Sequence, residues 1–233
     1  MSGTDITLTA HDGGSFSAYL AAPESGAGAG IVVLQEIFGV NRVMRDIADG
    51  LAARGYFAIV PDLFWRQQPG IQITDKTEAE WARAFELYQG FDENLGVDDA
   101  IAALDHLRTV PGCSGLVGST GYCLGGKLAY LMAARSSTEA TVAYYGVGIA
   151  DALDEGGSIH RPLMLHIAED DEFVPKEAQA QVKEALADNA LVEIHSYPGL
   201  DHAFCRVGGA HYDATGAALA NQRTAAFFAE HLA

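Results

Sequence analysis

A chain of 233 residues with 49% hydrophobic and 19% charged content has the composition of a globular protein and is long enough to bury a substantial core. Its 14 basic and 31 acidic residues give a net charge of −17, which disfavours nucleic acid and anionic membrane surfaces as partners. No run approaches the roughly 18 apolar residues of a membrane span, and Met1-Ser2-Gly3-Thr4-Asp5 has neither a basic nor an apolar signal region, so the expected location is the cytoplasm.

Ile6-Thr7-Leu8-Thr9 and Phe16-Ser17-Ala18-Tyr19-Leu20 flank His11-Asp12-Gly13-Gly14 and read as a β-hairpin. Ala27 to Gly30 reads as a small-residue loop. Ile31-Val32-Val33-Leu34 is a continuous apolar run, as expected of a strand buried on both faces. Val43, Ile47 and Leu51 keep helical register through Asn41 to Arg54, which stops at Gly55. Tyr56 to Val60 is a strand ended by Pro61-Asp62. Helices follow over Thr77 to Tyr88 and Val97 to Leu107, a short apolar run over Leu116-Val117-Gly118, and a helical pattern from Gly126 to Ala134. Val142 to Tyr145, Leu163 to Ile167 and Val192 to Tyr197 read as strands, Lys176 to Ala187 and Ala214 to Leu232 as helices. Strands alternating with helices from residue 31 onward imply right-handed crossovers and a mostly parallel central sheet with helices on both faces. No repeat, low-complexity tract or long linker divides the chain, so a single α/β domain over residues 1–233 is expected.

Between a strand and a helix stands Gly121-Tyr122-Cys123-Leu124-Gly125, the G-x-nucleophile-x-G form of a nucleophile elbow with cysteine in the usual place of serine. At a helix N-terminus the dipole favours the thiolate, the reactive form of cysteine. A buried structural cysteine beside a glycine turn is the alternative that this short motif alone leaves open. A thiol nucleophile needs a base and a group to orient that base. Candidates follow two later strands, in the stretches Glu169-Asp170-Asp171-Glu172 and Asp201-His202, where loops at strand carboxyl ends line the ligand crevice of an open parallel sheet. Cys123, Asp171 and His202 have the α/β-hydrolase order of nucleophile, acid and histidine, although Asp170 and Glu172 compete with Asp171. Glu36 directly follows four apolar residues, a costly place for a charge without a partner or a role. The backbone N–H groups of Leu124 and Ile37 stand where that fold has its oxyanion hole. Cys113, Cys123 and Cys205 are odd in number, which argues against a disulfide framework, and no cysteine or histidine cluster has metal-site spacing. Neither a metal nor a cofactor is expected.

Taken together, Gln35-Glu36-Ile37-Phe38-Gly39, Pro61-Asp62-Leu63-Phe64, Gly121 to Gly126, Tyr144-Tyr145-Gly146, Asp171-Glu172-Phe173-Val174-Pro175 and His202-Ala203-Phe204 with Arg206 resemble the dienelactone hydrolases (carboxymethylenebutenolidases) over nearly the whole chain. The resemblance implies an α/β-hydrolase fold without a lid domain, and selects Asp171 because the family's acid precedes a Val-Pro by two residues. It implies that Glu36 lies near the resting thiol and helps deprotonate it when substrate binds. The activity implied is the opening of a lactone or small ester, dienelactone giving maleylacetate, through a cysteine thioester, by a monomer acting on a small molecule. Arg206 matches one of the arginines that hold the substrate carboxylate, and Phe38, Trp81, Phe85 and Tyr145 are the other implied substrate contacts. The chain departs from the family at three of these places. Trp81 stands where the second arginine usually lies, Phe85 where a tyrosine does, and Ala203 replaces a serine. Arg83 is two residues from the missing arginine, roughly 200° around a helix of 3.6 residues per turn, so it should face away unless the helix shifts. The expected pocket is more apolar than the family norm. An esterase or thioesterase of altered specificity, and a non-catalytic thiol-sensing protein on this fold, are the alternative readings.

Overall fold

The computed structural model describes residues 3–233, so Met1 and Ser2, part of the expected absence of a signal region, lie outside it. Its eight strands follow the order β1-β2-β4-β3-β5-β6-β7-β8, where β1 is Thr4–Thr9, β2 Ser15–Ala21, β3 Gly28–Leu34, β4 Phe57–Pro61, β5 Cys113–Tyr122, β6 Thr141–Tyr144, β7 Leu163–Ala168 and β8 Val192–Tyr197. Six helices, α1 Arg42–Ala52, α2 Glu78–Gln89, α3 Glu93–Thr109, α4 Leu124–Arg135, α5 Lys176–Leu186 and α6 Ala214–His231, connect or follow them. The chain clusters into two compact units, one up to Gly118 and the other Ser119–Ala233, with β5 running across the boundary.

In the first unit β1 and β2 form the expected antiparallel hairpin, β2 continues antiparallel onto β4, and β3 runs parallel to β4. Ile31, Val32, Val33 and Leu34 are wholly buried, which is why an unbroken apolar run rather than an alternating one makes this strand. The strand begins at Gly28, inside the stretch expected to be a loop. There the backbone approaches its neighbour so closely that a Cβ on Gly28 would lie 2.0 Å from the Gly55 carbonyl oxygen, so small residues serve strand packing here. The helices start at side-chain caps. Asn41 accepts from the Met44 N–H, Thr77 from that of Glu80, and Asp92 from those of Asn94 and Leu95. The cap at Asp92 explains why α3 begins earlier than the periodicity from Val97 implied. Asp62 accepts the N–H groups of Phe64 and Gly70 at 3.1 and 2.7 Å, so the Pro61-Asp62-Leu63-Phe64 motif is a turn built on a buried carboxylate.

In the second unit β5, β6, β7 and β8 are parallel neighbours. Helix α4 is mostly apolar, and Leu124 to Ala133, Lys127 included, are buried without a break. One element escaped the sequence reading, the short helical segment Ile149–Ser158, kinked at Ala152, whose aspartates and paired glycines resemble a loop. No helix among the described residues is long and apolar enough to cross a membrane.

A buried polar network ties α6 to the sheet of this unit. The Tyr144 hydroxyl meets Thr224 Oγ1 at 2.5 Å, and His166 joins Thr224 through Nε2 at 3.0 Å and Tyr197 through Nδ1 at 2.7 Å. Burial, then the nearby His195 and Arg223 charges, push His166 down to about 3 from 6.5. A group depressed in the folded state is bound by more protons when unfolded, so its stability contribution is complete above pH 6.5 and is lost as the pH falls toward 3. Within that window His166 is expected to steepen the fall in unfolding free energy by about 1.4 kcal/mol per pH unit. Urea unfolding of the parent and His166→Asn between pH 4 and pH 7 measures it; parallel slopes would contradict this account.

Candidate active site

The Cys123 backbone has φ 57° and ψ −117°, a conformation that a residue with a Cβ adopts only when its surroundings impose it. Those surroundings are identifiable. The Cys123 N–H donates to the Tyr144 carbonyl at 3.1 Å, and the Cys123 carbonyl accepts from Gly126 N at 2.9 Å and Val147 N at 3.3 Å. The glycines make the turn possible. A Cβ on Gly121 would lie 1.8 Å from the Gly125 oxygen, and one on Gly126 would lie 2.6 Å from that of Tyr144. The turn therefore presents a buried thiol at the N-terminus of α4, the strand-turn-helix context that the motif required.

His202 follows β8 and is buried, with Nδ1 2.8 Å from Asp171 Oδ2. The other Asp171 oxygen accepts the N–H groups of Phe173 and Val174 at 2.8 and 3.2 Å, so both carboxylate oxygens are held. Asp170 is exposed and paired with Lys176, and Glu172 is exposed as well, so of the three adjacent acids only Asp171, the one the resemblance selects, is buried. The His202 ring is flanked edge-on by Phe173 and Tyr145, with ring centroids 4.9 and 5.1 Å away. Its Nε2 is buried without an aligned hydrogen bond. Burial alone would push His202 down, but the Cys123 charge and the Asp171 hydrogen bond outweigh it and raise the ring to about 10. A positive imidazolium favours the anionic form of a neighbouring thiol, which is what nucleophilic sulfur chemistry needs.

Backbone strain recurs around this group. Tyr145 has φ 37° and Ala203 has φ 61°, so each of the segments following β5, β6 and β8 carries a non-glycine residue with positive φ. Tyr145 was expected only as a substrate contact. Its packing on the His202 ring, like that of Phe173, becomes visible only once the strands are aligned, and residue type in the linear sequence gives no signal for it.

The other expected residues are placed separately. In the first unit Glu36, Ile37 and Phe38 follow β3 and are buried. Phe38, Trp81 and Phe85 form one aromatic cluster. Trp81 meets Phe38 edge-on at 5.1 Å and stacks on Phe85 at 5.6 Å, while its Nε1 donates to the Asp75 carbonyl. The Arg83 guanidinium is held by Glu86 at 2.5 Å and Gln68 at 2.6 Å. In the second unit Leu124 is the first residue of α4, and Arg206 is buried in the turn after His202. All three cysteines are unbridged. Among the described residues no group of three or more His, Cys, Asp or Glu side chains could hold a metal ion.

The family model described as "Dienelactone hydrolase family" matches residues 16–232. The chain belongs to the dienelactone hydrolase family. It is 38% identical over 224 residues to the carboxymethylenebutenolidase of Pseudomonas putida, covering 96% of this chain and 95% of that one. A relative from Azospirillum brasilense with a provisional carboxymethylenebutenolidase name is 52% identical over 98% of this chain and 99% of its own. Among solved structures, a provisionally named dienelactone hydrolase from Klebsiella pneumoniae is 30% identical with a TM-score of 0.82, covering 97% of this chain and 99% of that one. A dienelactone hydrolase-like promiscuous phosphotriesterase, P91, from metagenomic libraries has a TM-score of 0.83 over the full length of both chains, and at 24% identity it speaks for the fold alone. Membership and the eight-stranded, mostly parallel sheet make this an α/β-hydrolase fold, and the family is one of ester and lactone hydrolases.

Proposed function

We propose that this protein opens small lactones or esters by nucleophilic catalysis at Cys123, with His202 as acid and base and Asp171 as the group that orients it. The observation that carries the reading is the buried His202–Asp171 pair, raised by the charge of a cysteine held in a strained elbow. The Cys123 thiolate attacks the carbonyl carbon, and the C–O π electrons move onto oxygen, where the Leu124 N–H, with that of Ile37 by the family resemblance, stabilises the oxyanion. Collapse re-forms the carbonyl and breaks the ring or ester C–O bond, and His202 delivers its proton to the departing oxygen. Water then gives a proton to His202 and its oxygen to the thioester carbon, and the C–S bond breaks to return the thiolate. From dienelactone this sequence yields the enol form of maleylacetate, which tautomerises to the ketone. Glu36 assists deprotonation of the resting thiol, as the resemblance implies. The protein acts as a cytoplasmic monomer without a cofactor.

The substrate side is more apolar than in relatives that hold a carboxylate between two arginines. The Phe38-Trp81-Phe85 cluster and the engaged Arg83 support this, and by the family resemblance Arg206 is the residue that reads the carboxylate. Arg206→Ala is expected to lower kcat/KM for carboxylated lactones by ~10-fold or more and for neutral esters by less than about threefold, as loss of a charge-assisted contact requires. Equal losses on both substrates would overturn that assignment. Dienelactone and p-nitrophenyl acetate turnover, with intact-mass trapping of the acyl group on Cys123, tests the whole reading. An acyl group on another residue refutes it.

A further inference from the structure

We infer that Asp201 is a positioning residue that locks the acid-bearing loop to the histidine-bearing loop of the candidate site. The inference rests on reading Cys123, His202 and Asp171 as one reacting group.

The loops after β7 and β8 are joined in steps. The Glu169 N–H donates to the Tyr197 carbonyl at 3.1 Å, and the Asp170 N–H to the Leu200 carbonyl at 2.9 Å. Backbone pairing stops there. The next link is the side chain of Asp201, whose Oδ1 accepts the Glu172 N–H at 3.3 Å and the His202 N–H at 2.6 Å. One carboxylate oxygen thus holds the backbone of the residue after Asp171 and the backbone of His202 itself. Asp171 is bracketed, with Asp170 tied to Leu200 on one side and Glu172 tied to Asp201 on the other. The quantity at stake is the 2.8 Å Asp171–His202 hydrogen bond, which sets the ring orientation.

The remaining Asp201 oxygen, Oδ2, lies 3.3 Å from His211 Nδ1. His211 comes back to this point because the segment from Phe204 closes on itself, with the Asp213 N–H donating to the Phe204 carbonyl at 3.0 Å. Both partners of this contact are partly exposed, at 42% and 34%, so solvent leaves it weak, and the two accepted N–H groups carry the positioning. Ala203, next to His202, is held at φ 61°, a conformation that relaxes if the histidine loop is released.

Three measurements on Asp201→Ala and Asp201→Asn test this. Asp201→Ala is expected to lower kcat ~10-fold with KM within about twofold, because a misaligned base affects the chemical step rather than binding. Alkylation of Cys123 by iodoacetamide, followed on its own peptide by mass spectrometry, should slow in parallel. The downfield proton resonance of His202 Nδ1–H, the signature of its bond to Asp171, should shift or broaden. Asp201→Asn keeps an acceptor oxygen and should recover all three readouts to within about threefold of the parent. A parent-like Asp201→Ala in alkylation and resonance overturns the inference, as does an Asp201→Asn as impaired as Asp201→Ala. If the parent turns over no ester or lactone, the functional reading fails while the alkylation and resonance measurements still decide the role of Asp201.

Discussion

Cys123→Ala is expected to lower lactone and ester turnover by ~10³-fold or more, with the melting temperature within a few degrees of the parent. The two halves of that expectation have separate origins. Alanine accepts the elbow backbone as well as cysteine does, since both have a Cβ at φ 57°, and the hydrogen bonds that impose the turn, from Cys123 N to Tyr144 and from Gly126 and Val147 to the Cys123 carbonyl, involve backbone atoms only. The fold therefore survives. The lost sulfur has no substitute in the proposed chemistry, because the step that splits the reaction into acylation and deacylation needs a nucleophile at this atom. Cys123→Ser is the sharper companion. It keeps an oxygen nucleophile in the same place, but an alcohol must surrender its proton during attack, whereas a thiol can lose its proton before attack. Serine is expected to retain less than about one hundredth of the parent rate. The assay is steady-state turnover of p-nitrophenyl acetate and dienelactone with melting followed by circular dichroism. An alanine variant retaining more than a tenth of parental kcat would remove Cys123 from the mechanism.

The largest structural effect is expected at Gly121. A Cβ there would lie 1.8 Å from the Gly125 oxygen and 2.3 Å from its carbonyl carbon, both backbone atoms of the first turn of α4. They cannot swing aside as a flexible side chain would, so relief requires α4 to move away from β5, and α4 is buried from Leu124 to Ala133. Gly121→Ala is expected to cost about 3 kcal/mol or more, beyond the usual range for inserting a single methyl into a packed core. For a chain of this size that corresponds to a melting point lower by ~6–12 °C. Any folded population should show slowed alkylation at Cys123, since the elbow has shifted. Gly50→Ala is the control. It lies in α1, where an added Cβ meets nothing within 4 Å, and the higher helix propensity of alanine should raise stability by up to about 1 kcal/mol. Equal responses at the two glycines in urea unfolding would refute the steric account of the elbow.

The parts of the fold governed by local rules were legible in the sequence. The hairpin around His11-Asp12-Gly13-Gly14, the wholly apolar Ile31 to Leu34 strand and the capped start of α2 at Thr77 follow from turn chemistry, burial and capping. Elements built on small residues were harder to see. Strand β5 runs from Cys113 to Tyr122, well beyond the apolar run at Leu116 to Gly118, because its glycines and hydroxyl residues are packed by neighbours rather than marked by their own side chains. The glycine elbow around Cys123 was local and readable. The choice of Asp171 over Asp170 and Glu172 was not, except through family resemblance, because it depends on which of three adjacent carboxylates the loop buries against His202. Networks such as Tyr144-Thr224-His166-Tyr197 gave no linear signal, since their members are 31 to 80 residues apart.

On the proposed mechanism, the groups that activate Cys123 are delivered late. Asp171 and then His202 follow it along the chain, His202 by about eighty residues. At roughly 5–20 residues per second, a ribosome takes on the order of 4–16 s to cover that distance. During that interval the nascent chain carries a thiol with no imidazolium beside it, no more nucleophilic than a cysteine in any unfolded polypeptide. On that mechanism, reactivity above that of an ordinary thiol arrives only when the last third of the molecule has been made and has folded.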